Sequence, residues 1–477
     1  MSRSVSIEVY THFADNLAQF GDAIAIWLPD GKSISYQQLA EQVDQYAATL
    51  VKAVPKHSLL ALRFSSTLSA VVAYLAALRN QLPLLLIAPD LANTQLSTLV
   101  DRLKIAAVIQ GSGEIQLSGL THPVRSDCAL LLSTSGSSGS PKSVMLSLKN
   151  LSANARAICQ YLPIEATDIA ITALPLHYSY GLSVLNSHLH KGAAILLTDA
   201  PIMSKEFWQQ MRDFNISSLS GVPFSYQLYR QLRLERMACT AVRYFTQAGG
   251  KLNSGLRDYV QILAKTLAKP VYLMYGQTEA TARIAYLPPE LINDYSDCIG
   301  LAIPEGELLL RHPTSRQLIT EPLTEGELCY RGPNVMLGYA SCAADLSSND
   351  CISELSTGDL AERLANGLYR IVGRLSRFIK LQGKRLQLDD LEQQLATYAD
   401  IAIDTVVCAG QDDLLVVAFS KHTIDKTERI TAYLREQLLL HPAYFKLLQY
   451  EALPYLSNGK LNYPALLQQA LESIDAS

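Results

Sequence analysis

Short apolar runs alternate with longer segments of helical periodicity through the first half of the chain, and this alternation most constrains the fold. Strand–helix–strand alternation is typical of parallel sheets with helices packed on their faces. The segments in question are residues 59–64, 67–79, 84–88, 96–103, 106–110, 169–173, 181–190, 194–197 and 204–214. We therefore expect an α/β fold.

After about residue 299 the pattern changes to short apolar segments separated by glycine-containing turns, at 326–332 and at Asn366-Gly367. Short apolar segments separated by such turns predict a β-rich subdomain. From Ser376 onward a small α+β unit begins, in which we expect Asp389 to cap a helix and residues 405–408 and 414–419 to form strands.

The sequence thus predicts a large N-terminal domain over residues 1–375, with mixed and parallel sheets, flanking helices and a β-rich subdomain. A small mobile C-terminal domain follows over residues 376–477. A chain of 477 residues with 49% hydrophobic and 18% charged residues is long enough and apolar enough for at least two cores.

Charge and composition exclude several classes of protein. A formal net charge of −4 argues against a general nucleic-acid binder, which needs a basic field. The eight cysteines show no CxxC pair or metal-ligand spacing, so we expect reduced, mostly buried thiols. The N-terminus lacks the apolar core of a signal peptide, and no apolar run approaches the ~20 residues of a membrane span. We expect a cytoplasmic protein with no membrane span.

The most informative segment is residues 128–144, an apolar strand followed by a loop of glycines, hydroxyl residues and a lysine. Gly136 and Gly139 allow backbone N–H groups to turn toward one anion, and Lys142 adds positive charge. The hydroxyl donors are Thr134, Ser135, Ser137 and Ser138. The spacing differs from a Walker A loop. The sequence predicts a phosphate-binding loop; the alternative is a flexible Ser/Gly surface loop.

This loop resembles the phosphate loop of the acyl- and aryl-adenylate-forming superfamily, which includes acyl-CoA synthetases, peptide-synthetase adenylation domains and firefly luciferase. The resemblance extends over about residues 10 to 467. Further motifs follow in the family's order: Tyr275-Gly-Gln-Thr-Glu279, residues 325–339, Ser356-Thr-Gly-Asp359, Gly373-Arg374, residues 380–385 and Asn458-Gly-Lys460.

The resemblance implies that the chain binds ATP and Mg²⁺. Thr278 and Glu279 are expected at the α-phosphate and the metal, with Glu279 as a metal ligand. Asp359 and Arg374 are expected to hold the ribose. The remaining nucleotide contacts are expected from Gly249, Gly250, Tyr275, Gly276 and Gln277.

Lys460 matches the family's C-terminal catalytic lysine, which implies that it bridges the carboxylate and the α-phosphate. The resemblance also implies rotation about a hinge at Ser376, after which the loop around Lys380 and Gly383 serves thioester formation. Ser376 departs from the hinge residue usual in the family, Asp or Lys. Ser143 likewise replaces the glycine that usually continues the phosphate loop.

The acid pocket is expected beneath Tyr275. Its other predicted residues are His177, Tyr178, Gly181, Val222, Pro223, Gln247, Ala248 and Gly249. Amino-acid-activating relatives carry an aspartate for the substrate amine, and 177–179 here contains no acid, so an acyl or aryl acid is favoured over an α-amino acid. His177 is either a residue near the reacting carboxylate or a hydrogen-bonded core histidine.

The sequence therefore predicts an ATP-dependent ligase that activates a small carboxylic acid as an acyl-adenylate and transfers the acyl group to a thiol. That thiol belongs either to CoA or to the phosphopantetheine of an acyl carrier protein. The alternatives are a stand-alone amino-acid adenylation enzyme, a luciferase-like oxygenase and a non-catalytic nucleotide-binding scaffold.

Overall fold

A computed structural model gives the fold. It describes residues 12–133, 142–237, 239–349, 351–375, 377–381, 384–402, 405–411, 413–420, 426–455 and 461–475.

The strands within these residues are β1 (Ile24–Trp27), β2 (Ser33–Ser35), β3 (Leu60–Arg63), β4 (Leu84–Ile87), β5 (Ala107–Ile109), β6 (Ile115–Leu117), β7 (Cys128–Ser133), β8 (Ser143–Ser147), β9 (Ile169–Ile171), β10 (Ala194–Leu196), β11 (Ser218–Gly221), β12 (Tyr244–Gln247), β13 (Val271–Tyr275), β14 (Ala285–Leu287), β15 (Leu301–Ala302), β16 (Glu307–Arg311), β17 (Leu318–Ile319), β18 (Gly326–Arg331), β19 (Gly338–Ala340), β20 (Leu355–Arg363), β21 (Tyr369–Arg374), β22 (Phe378–Leu381), β23 (Lys384–Gln387), β24 (Val406–Gln411), β25 (Leu414–Ser420) and β26 (Phe445–Tyr450).

The α-helices are α1 (Tyr36–Ala53), α2 (Leu68–Arg79), α3 (Asn93–Leu103), α4 (Leu148–Tyr161), α5 (Ser179–Lys191), α6 (Lys205–Asp213), α7 (Pro223–Gln231), α8 (Ser254–Leu267), α9 (Ile292–Tyr295), α10 (Leu388–Ala399), α11 (Thr427–Ala432) and α12 (Tyr463–Asp475). None of the helices in the described ranges is long and apolar enough to cross a membrane.

Two large sheets enclose a shared core in the N-terminal part of the chain. One has the strand order β15-β14-β13-β12-β11-β9-β10-β1-β2, and the other has the order β19-β8-β7-β4-β3-β5-β6. Their central strands are parallel. Helix α2 is buried from Ala70 to Leu78, because it is apolar on all sides and packs in the core that includes residues of both sheets.

A third sheet, with the order β17-β16-β18-β20-β21, is antiparallel and forms the expected β-rich subdomain. Strands β20 and β21 are joined through a turn in which Gly367 has φ +87°, a conformation that glycine adopts without strain. The pair places Asp359 directly opposite Arg374. This register puts a carboxylate and a guanidinium side by side at the end of the hairpin.

The C-terminal part contains the hairpin β22-β23, the sheet β24-β25-β26 and helices α10 to α12, with two apolar clusters of its own. Helix α10 begins at Leu388, so Asp389 lies in its first turn and not at the cap position that the sequence predicted. From that position Asp389 accepts a hydrogen bond from Arg377 instead of capping the helix. The fold class predicted from the sequence is confirmed.

Side-chain partners change over three residues at the expected domain boundary. Arg374 pairs with Asp359 in the β-rich sheet. Arg377 pairs with Asp389 and Glu392 of the C-terminal part, and its guanidinium lies over the ring of Tyr463 at 4.3 Å. Leu375 still donates its N–H to the carbonyl oxygen of Gly358. The two arginines therefore anchor the chain to different parts of the molecule.

Candidate active site

Adjacent parallel strands deliver the predicted pocket residues to one edge of the larger sheet. Strands β11, β12 and β13 pair in parallel, with Gly221 opposite Gln247 and Gln247 opposite Leu273. The segments after these strands carry Val222 and Pro223, Ala248 to Gly250, and Gly276 to Glu279. Ligands of open α/β sheets bind at the carboxyl ends of the strands, so this edge is the candidate site.

Asp359 is the centre of a hydrogen-bonded cluster at this edge. The Tyr275 hydroxyl and the Gln277 amide both donate to its Oδ2, the amide at 3.2 Å. Arg374 Nε lies 2.8 Å from its Oδ1. Because Asp359 is 3% exposed, these donors replace the water it would otherwise bind. The carboxylate is thereby fixed in one orientation.

Electrostatics keep the partners of Asp359 in their donor forms. Burial, with the neighbouring carboxylate, raises the pKa of Tyr275 well above its usual value, so the phenol keeps its proton. The negative charge of Asp359 raises the pKa of Arg374. Arg374 is exposed on its other face. A carboxylate and an accessible guanidinium so arranged can hold a diol such as ribose.

A second cluster lies where the Tyr275 segment continues. Glu279 Oε1 accepts a hydrogen bond of 3.0 Å from the Tyr339 hydroxyl. The ammonium of Lys142 lies 5.6 Å from the centroid of the Tyr339 ring. Burial, and then the Glu279 carboxylate, raises the pKa of Tyr339, so its hydroxyl remains a donor. A cation, an aromatic ring and a carboxylate thus form one row.

Strand pairing explains why these residues meet. The predicted phosphate loop joins β7 to β8, which are antiparallel, with Ser133 opposite Ser143. Strand β19 pairs with β8 on its other side and places Tyr339 opposite Val144. Lys142 therefore emerges beside Tyr339. Thr134, Ser135, Gly136, Ser137, Ser138 and Gly139 lie outside the described residues.

The tight turn after Tyr275 leaves no room for a side chain at Gly276. A Cβ there would lie 1.8 Å from the carbonyl oxygen of Ala282. Ala282 has φ +109°, which is rare for a residue with a side chain. Within the turn, the Thr278 hydroxyl donates to Ser179 at 3.4 Å. The turn thereby brings Thr278 against the start of α5.

The structure brings several of the predicted acid-pocket residues into contact. A Cβ at Gly249 would lie 3.0 Å from the Tyr178 hydroxyl and 3.0 Å from Val222, so the three residues touch. Pro223 lies equally close to Gly250. The Gln247 amide donates to the carbonyl oxygen of Gly250 at 2.9 Å, which fixes the turn. Gly181 lies against the carbonyl oxygens of residues 174 and 175.

His177 lies in the segment between β9 and α5. It shows features both of a residue near the reacting carboxylate and of a hydrogen-bonded core histidine. Its ring hydrogen-bonds to the backbone of Phe64, whereas its buried Nδ1 has no partner among the described residues. Burial lowers the pKa of His177, so the ring is neutral near pH 7. Its role stays a prediction.

Sequence reasoning missed Arg283, which is 2% exposed. Its guanidinium lies over the Tyr180 ring at 4.0 Å, and it is close enough to lower the pKa of Tyr178 against the effect of burial. The sequence did contain one indication that Arg283 is buried: it is the single charged residue in the largely apolar stretch Ala280–Leu287. A charge flanked by apolar residues predicts a buried cation.

The predicted residues of the C-terminal part are only partly described. Lys380 lies in β22, paired with Arg385, whereas Ser376, Gly383 and Lys460 lie outside the described residues. The residues beside 456–460 are informative: Tyr455 and Leu461 form an antiparallel bridge. The Tyr455 ring lies 5.6 Å from that of Phe224, which directly follows Pro223. The segment containing Lys460 therefore starts beside the candidate pocket.

Glu279 is suited to be a ligand of Mg²⁺. One carboxylate oxygen is occupied by Tyr339, and the residue is half-buried. Mg²⁺ typically takes one or two carboxylates, with phosphates and water completing its octahedron. In the described part of the chain no group of three or more potential metal ligands converges.

The family model for AMP-binding enzymes matches residues 13–124 and 119–340. The chain is 24% identical to the oxalate–CoA ligase of Arabidopsis thaliana, over 96% of this chain and 98% of that protein. It is also 24% identical to the vanchrobactin synthetase VabF of Vibrio anguillarum, over 91% of this chain and 17% of that protein.

Among solved structures, the o-succinylbenzoate CoA synthetase of Bacillus subtilis, in complex with its acyl-adenylate intermediate, has a similar fold. The TM-score is 0.76 at 20% identity, covering 95% of this chain and 97% of that one. The shared fold extends over both parts of the molecule.

Proposed function

The chain belongs to the AMP-binding enzyme family, and on that premise we propose that it is an ATP-dependent acid–thiol ligase. In the first step a carboxylate oxygen of the acid attacks the α-phosphorus of ATP. The bond from that phosphorus to the pyrophosphate oxygen breaks, and an acyl-adenylate forms. In the second step a thiol sulfur attacks the acyl carbon, AMP leaves, and the thiol proton passes to solvent.

One observation carries this proposal: the five residues from Tyr275 to Glu279 connect two clusters of complementary chemistry. At one end, Tyr275 and Gln277 hold Asp359 beside Arg374, as a ribose requires. At the other end, Glu279 faces Tyr339 and Lys142, as a magnesium–phosphate group requires. A nucleotide has these two groups in this order.

Charge explains why the reaction needs such residues. A carboxylate attacking a phosphate brings two anions together, so cations and oriented donors must offset their repulsion. Bound at Glu279, Mg²⁺ would neutralise charge on the phosphates and on the departing pyrophosphate. Lys142 supplies a fixed positive charge at the end of the phosphate loop, and Thr278 a hydroxyl donor. We propose that residues 134–139 add the backbone and hydroxyl donors.

We further propose that Lys460 completes the site. Its contribution would be a positive charge between the reacting carboxylate and the α-phosphate, present when the C-terminal part is closed over the N-terminal part. The contact of Tyr455 with Phe224 supports this role, since it anchors the segment before Lys460 beside the pocket.

For the second step we propose that residues 376–477 rotate as a unit relative to residues 1–375, with Ser376 as the hinge. Lys380 and Gly383 would then face the site. The separate partners of Arg374 and Arg377 support a hinge between them. A rotation of this kind lets one site exclude water during adenylation and admit a thiol afterward.

We propose that the thiol is that of CoA and that the protein acts in the cytoplasm. The phosphopantetheine of a carrier protein presents the same sulfur, and the similarity to a vanchrobactin synthetase keeps it as the other acceptor to test. An acyl or aryl acid fits the pocket better than an α-amino acid. The pocket segment around His177 and Tyr178 carries no carboxylate for an amine.

Exchange of radiolabelled pyrophosphate into ATP, measured across a panel of carboxylic acids, tests the proposal. We expect exchange that depends on one class of acid and falls at least about 100-fold in Glu279→Gln, because a metal ligand is lost. Glu114→Gln, at an exposed hairpin, is the control. Mass spectrometry of products formed with CoA or with a phosphopantetheinylated carrier then identifies the acceptor. ATP binding without exchange for any acid would instead indicate a nucleotide-binding scaffold.

A further inference from the structure

The first turn of α10 lies at the junction between the two parts of the molecule, where the helix packs beside β21. Two backbone hydrogen bonds tie this turn to the end of the strand. Arg377 donates its N–H to the carbonyl oxygen of Arg374 at 3.3 Å, and Leu388 donates its N–H to that of Arg377 at 2.9 Å. Asp389 is the next residue. Its carboxylate is therefore held close to the strand that carries Arg374.

Lys251 approaches the same junction from the N-terminal part. It directly follows Gly250 of the candidate site and precedes Asn253, whose side chain caps α8, by two residues. Its ammonium donates to the carbonyl oxygen of Ile371 at 3.3 Å. Ile371 lies on β21, three residues before Arg374. This hydrogen bond therefore brings the ammonium to the strand against which α10 packs.

Asp389 faces positive charge from both parts of the molecule. Within the described residues its direct ion-pair partner is Arg377, which belongs to the C-terminal part with it. Its carboxylate also acts across the junction. Partial burial lowers the pKa of Lys251, and the charge of Asp389 opposes that change. Asp359 raises the pKa of Arg374 most, and Asp389 adds to the effect. A charge on the C-terminal part thus stabilises two cations on the N-terminal part.

The other charges around Lys251 all belong to its own part of the molecule. Arg257 is close enough to repel the ammonium. Asp297 and Arg370 pair with each other at 2.9 Å, so their effects on Lys251 oppose one another. These three residues stay in place relative to Lys251 when the two parts move. Among these charges, Asp389 is the one whose distance from Lys251 depends on how the two parts are arranged.

We propose that Lys251 and Asp389 are positioning residues for adenylation. Attraction between the Asp389 carboxylate and the two cations opposite it, Lys251 and Arg374, holds the C-terminal part closed over the nucleotide. Rotation for the thioester step separates these charges, while Asp389 keeps its bond to Arg377. This inference rests on the proposed function, since it specifies what stabilises the closed arrangement in the same reaction.

Pyrophosphate exchange with the acid that supports it tests the adenylation step. Lys251 is the position to change, because its substitution leaves Arg374 and the bond between Asp389 and Arg377 in place. We expect Lys251→Gln to lower kcat/KM for exchange by about three- to fivefold, as for the loss of a surface charge pair. Lys251→Glu replaces attraction with repulsion and should lower it by about 10- to 20-fold. Lys251→Arg keeps the charge and should stay within about twofold of wild type. Lys265→Gln, at an exposed position in the last turn of α8, is the control.

Thioester formation from a synthetic acyl-adenylate, with the thiol acceptor identified as above, measures the second step separately. There Lys251→Glu should react at least as fast as wild type, because the attraction that it removes belongs to the closed arrangement and not to the rotated one. Equal losses in both steps would show that Lys251 only supports the local fold around Gly250, and would overturn the inference.

Amide hydrogen exchange followed by mass spectrometry gives a readout that needs no acid. ATP with Mg²⁺ should slow exchange in α10 of the wild-type protein, because the bound nucleotide favours the closed arrangement. The slowing should be lost in Lys251→Glu and retained in Lys251→Arg. Equal exchange of α10 in the ATP-bound wild-type and Lys251→Glu proteins overturns the inference and leaves the proposed function intact. Absence of ATP binding to the wild-type protein overturns both.

Discussion

Asp359→Asn separates nucleotide binding from folding, because the substitution removes a charge and changes almost no volume. In the native protein the carboxylate accepts from Tyr275 and Gln277 and pairs with Arg374. The amide keeps one acceptor oxygen and replaces the other with a donor. We expect weaker ATP binding and a small loss of stability.

The structure gives the magnitude of each effect. The side chain of Arg374 is 56% exposed, so its ion pair has the strength of a surface pair, roughly 0.2–1 kcal/mol. Hydrogen bonds from ribose to a carboxylate are stronger, about 1.5–3 kcal/mol for a charged acceptor. Loss of one such bond weakens ATP binding by about 10- to 150-fold, since 1.4 kcal/mol is tenfold.

Isothermal titration calorimetry with ATP and Mg²⁺ measures the first effect, and thermal unfolding without nucleotide measures the second. Glu362→Gln is a matched control, because Glu362 lies opposite Arg370 on the same strand pair as Asp359 and Arg374. The control should lose similar stability and bind ATP normally. Unchanged ATP affinity in Asp359→Asn, or an equal loss in Glu362→Gln, would refute the ribose assignment.

Two further predictions concern chemistry and stability. Lys460→Ala should nearly abolish adenylate formation in the exchange assay while ATP binding and the melting temperature stay close to wild type; a large drop in melting temperature would instead indicate a structural lysine. Burial, with repulsion from His190, lowers the pKa of His12 to about 3. The native state then binds this proton more weakly than the unfolded chain, so the stability that His12 provides is complete above about pH 6.5 and is lost as the pH falls toward 3. Denaturant unfolding should show a loss of about 2 kcal/mol at pH 5 from this residue, which His12→Asn removes; an identical pH dependence in the variant would contradict the assignment.

Individual helices and strands could be predicted from the sequence where one hydrophobic pattern dominated the segment. The segment 67–79 was expected to be helical, and α2 spans Leu68–Arg79 with Thr67 accepting from the N–H of Ala70. The strand expected at 84–88 is β4, buried at every position. In both segments the hydrophobic run and its flanking residues favour the same structure, so local and global preferences agree.

The site was predictable only in part, because its contacts join residues far apart in the sequence. Tyr275 and Asp359 are 84 residues apart, and motif resemblance suggested their shared role but not the bond between them. Arg283 was missed for the same reason. Tyr180 precedes it by about a hundred residues, and no local pattern relates the two. The partners of a buried charged residue become visible only when the sheets are assembled, even where the apolar residues around Arg283 indicate its burial.

The separate anchoring of Arg374 and Arg377 has a consequence for recombining this protein with its relatives. Each guanidinium is committed to the part of the molecule on its own side, so a fusion point after Leu375 would cut through none of these ion pairs. The residues that select the acid would come from one parent, and those that complete the site from the other. If residues 376–477 close over the site as we propose, Leu375 marks a point of exchange at which substrate choice and closure can be inherited separately.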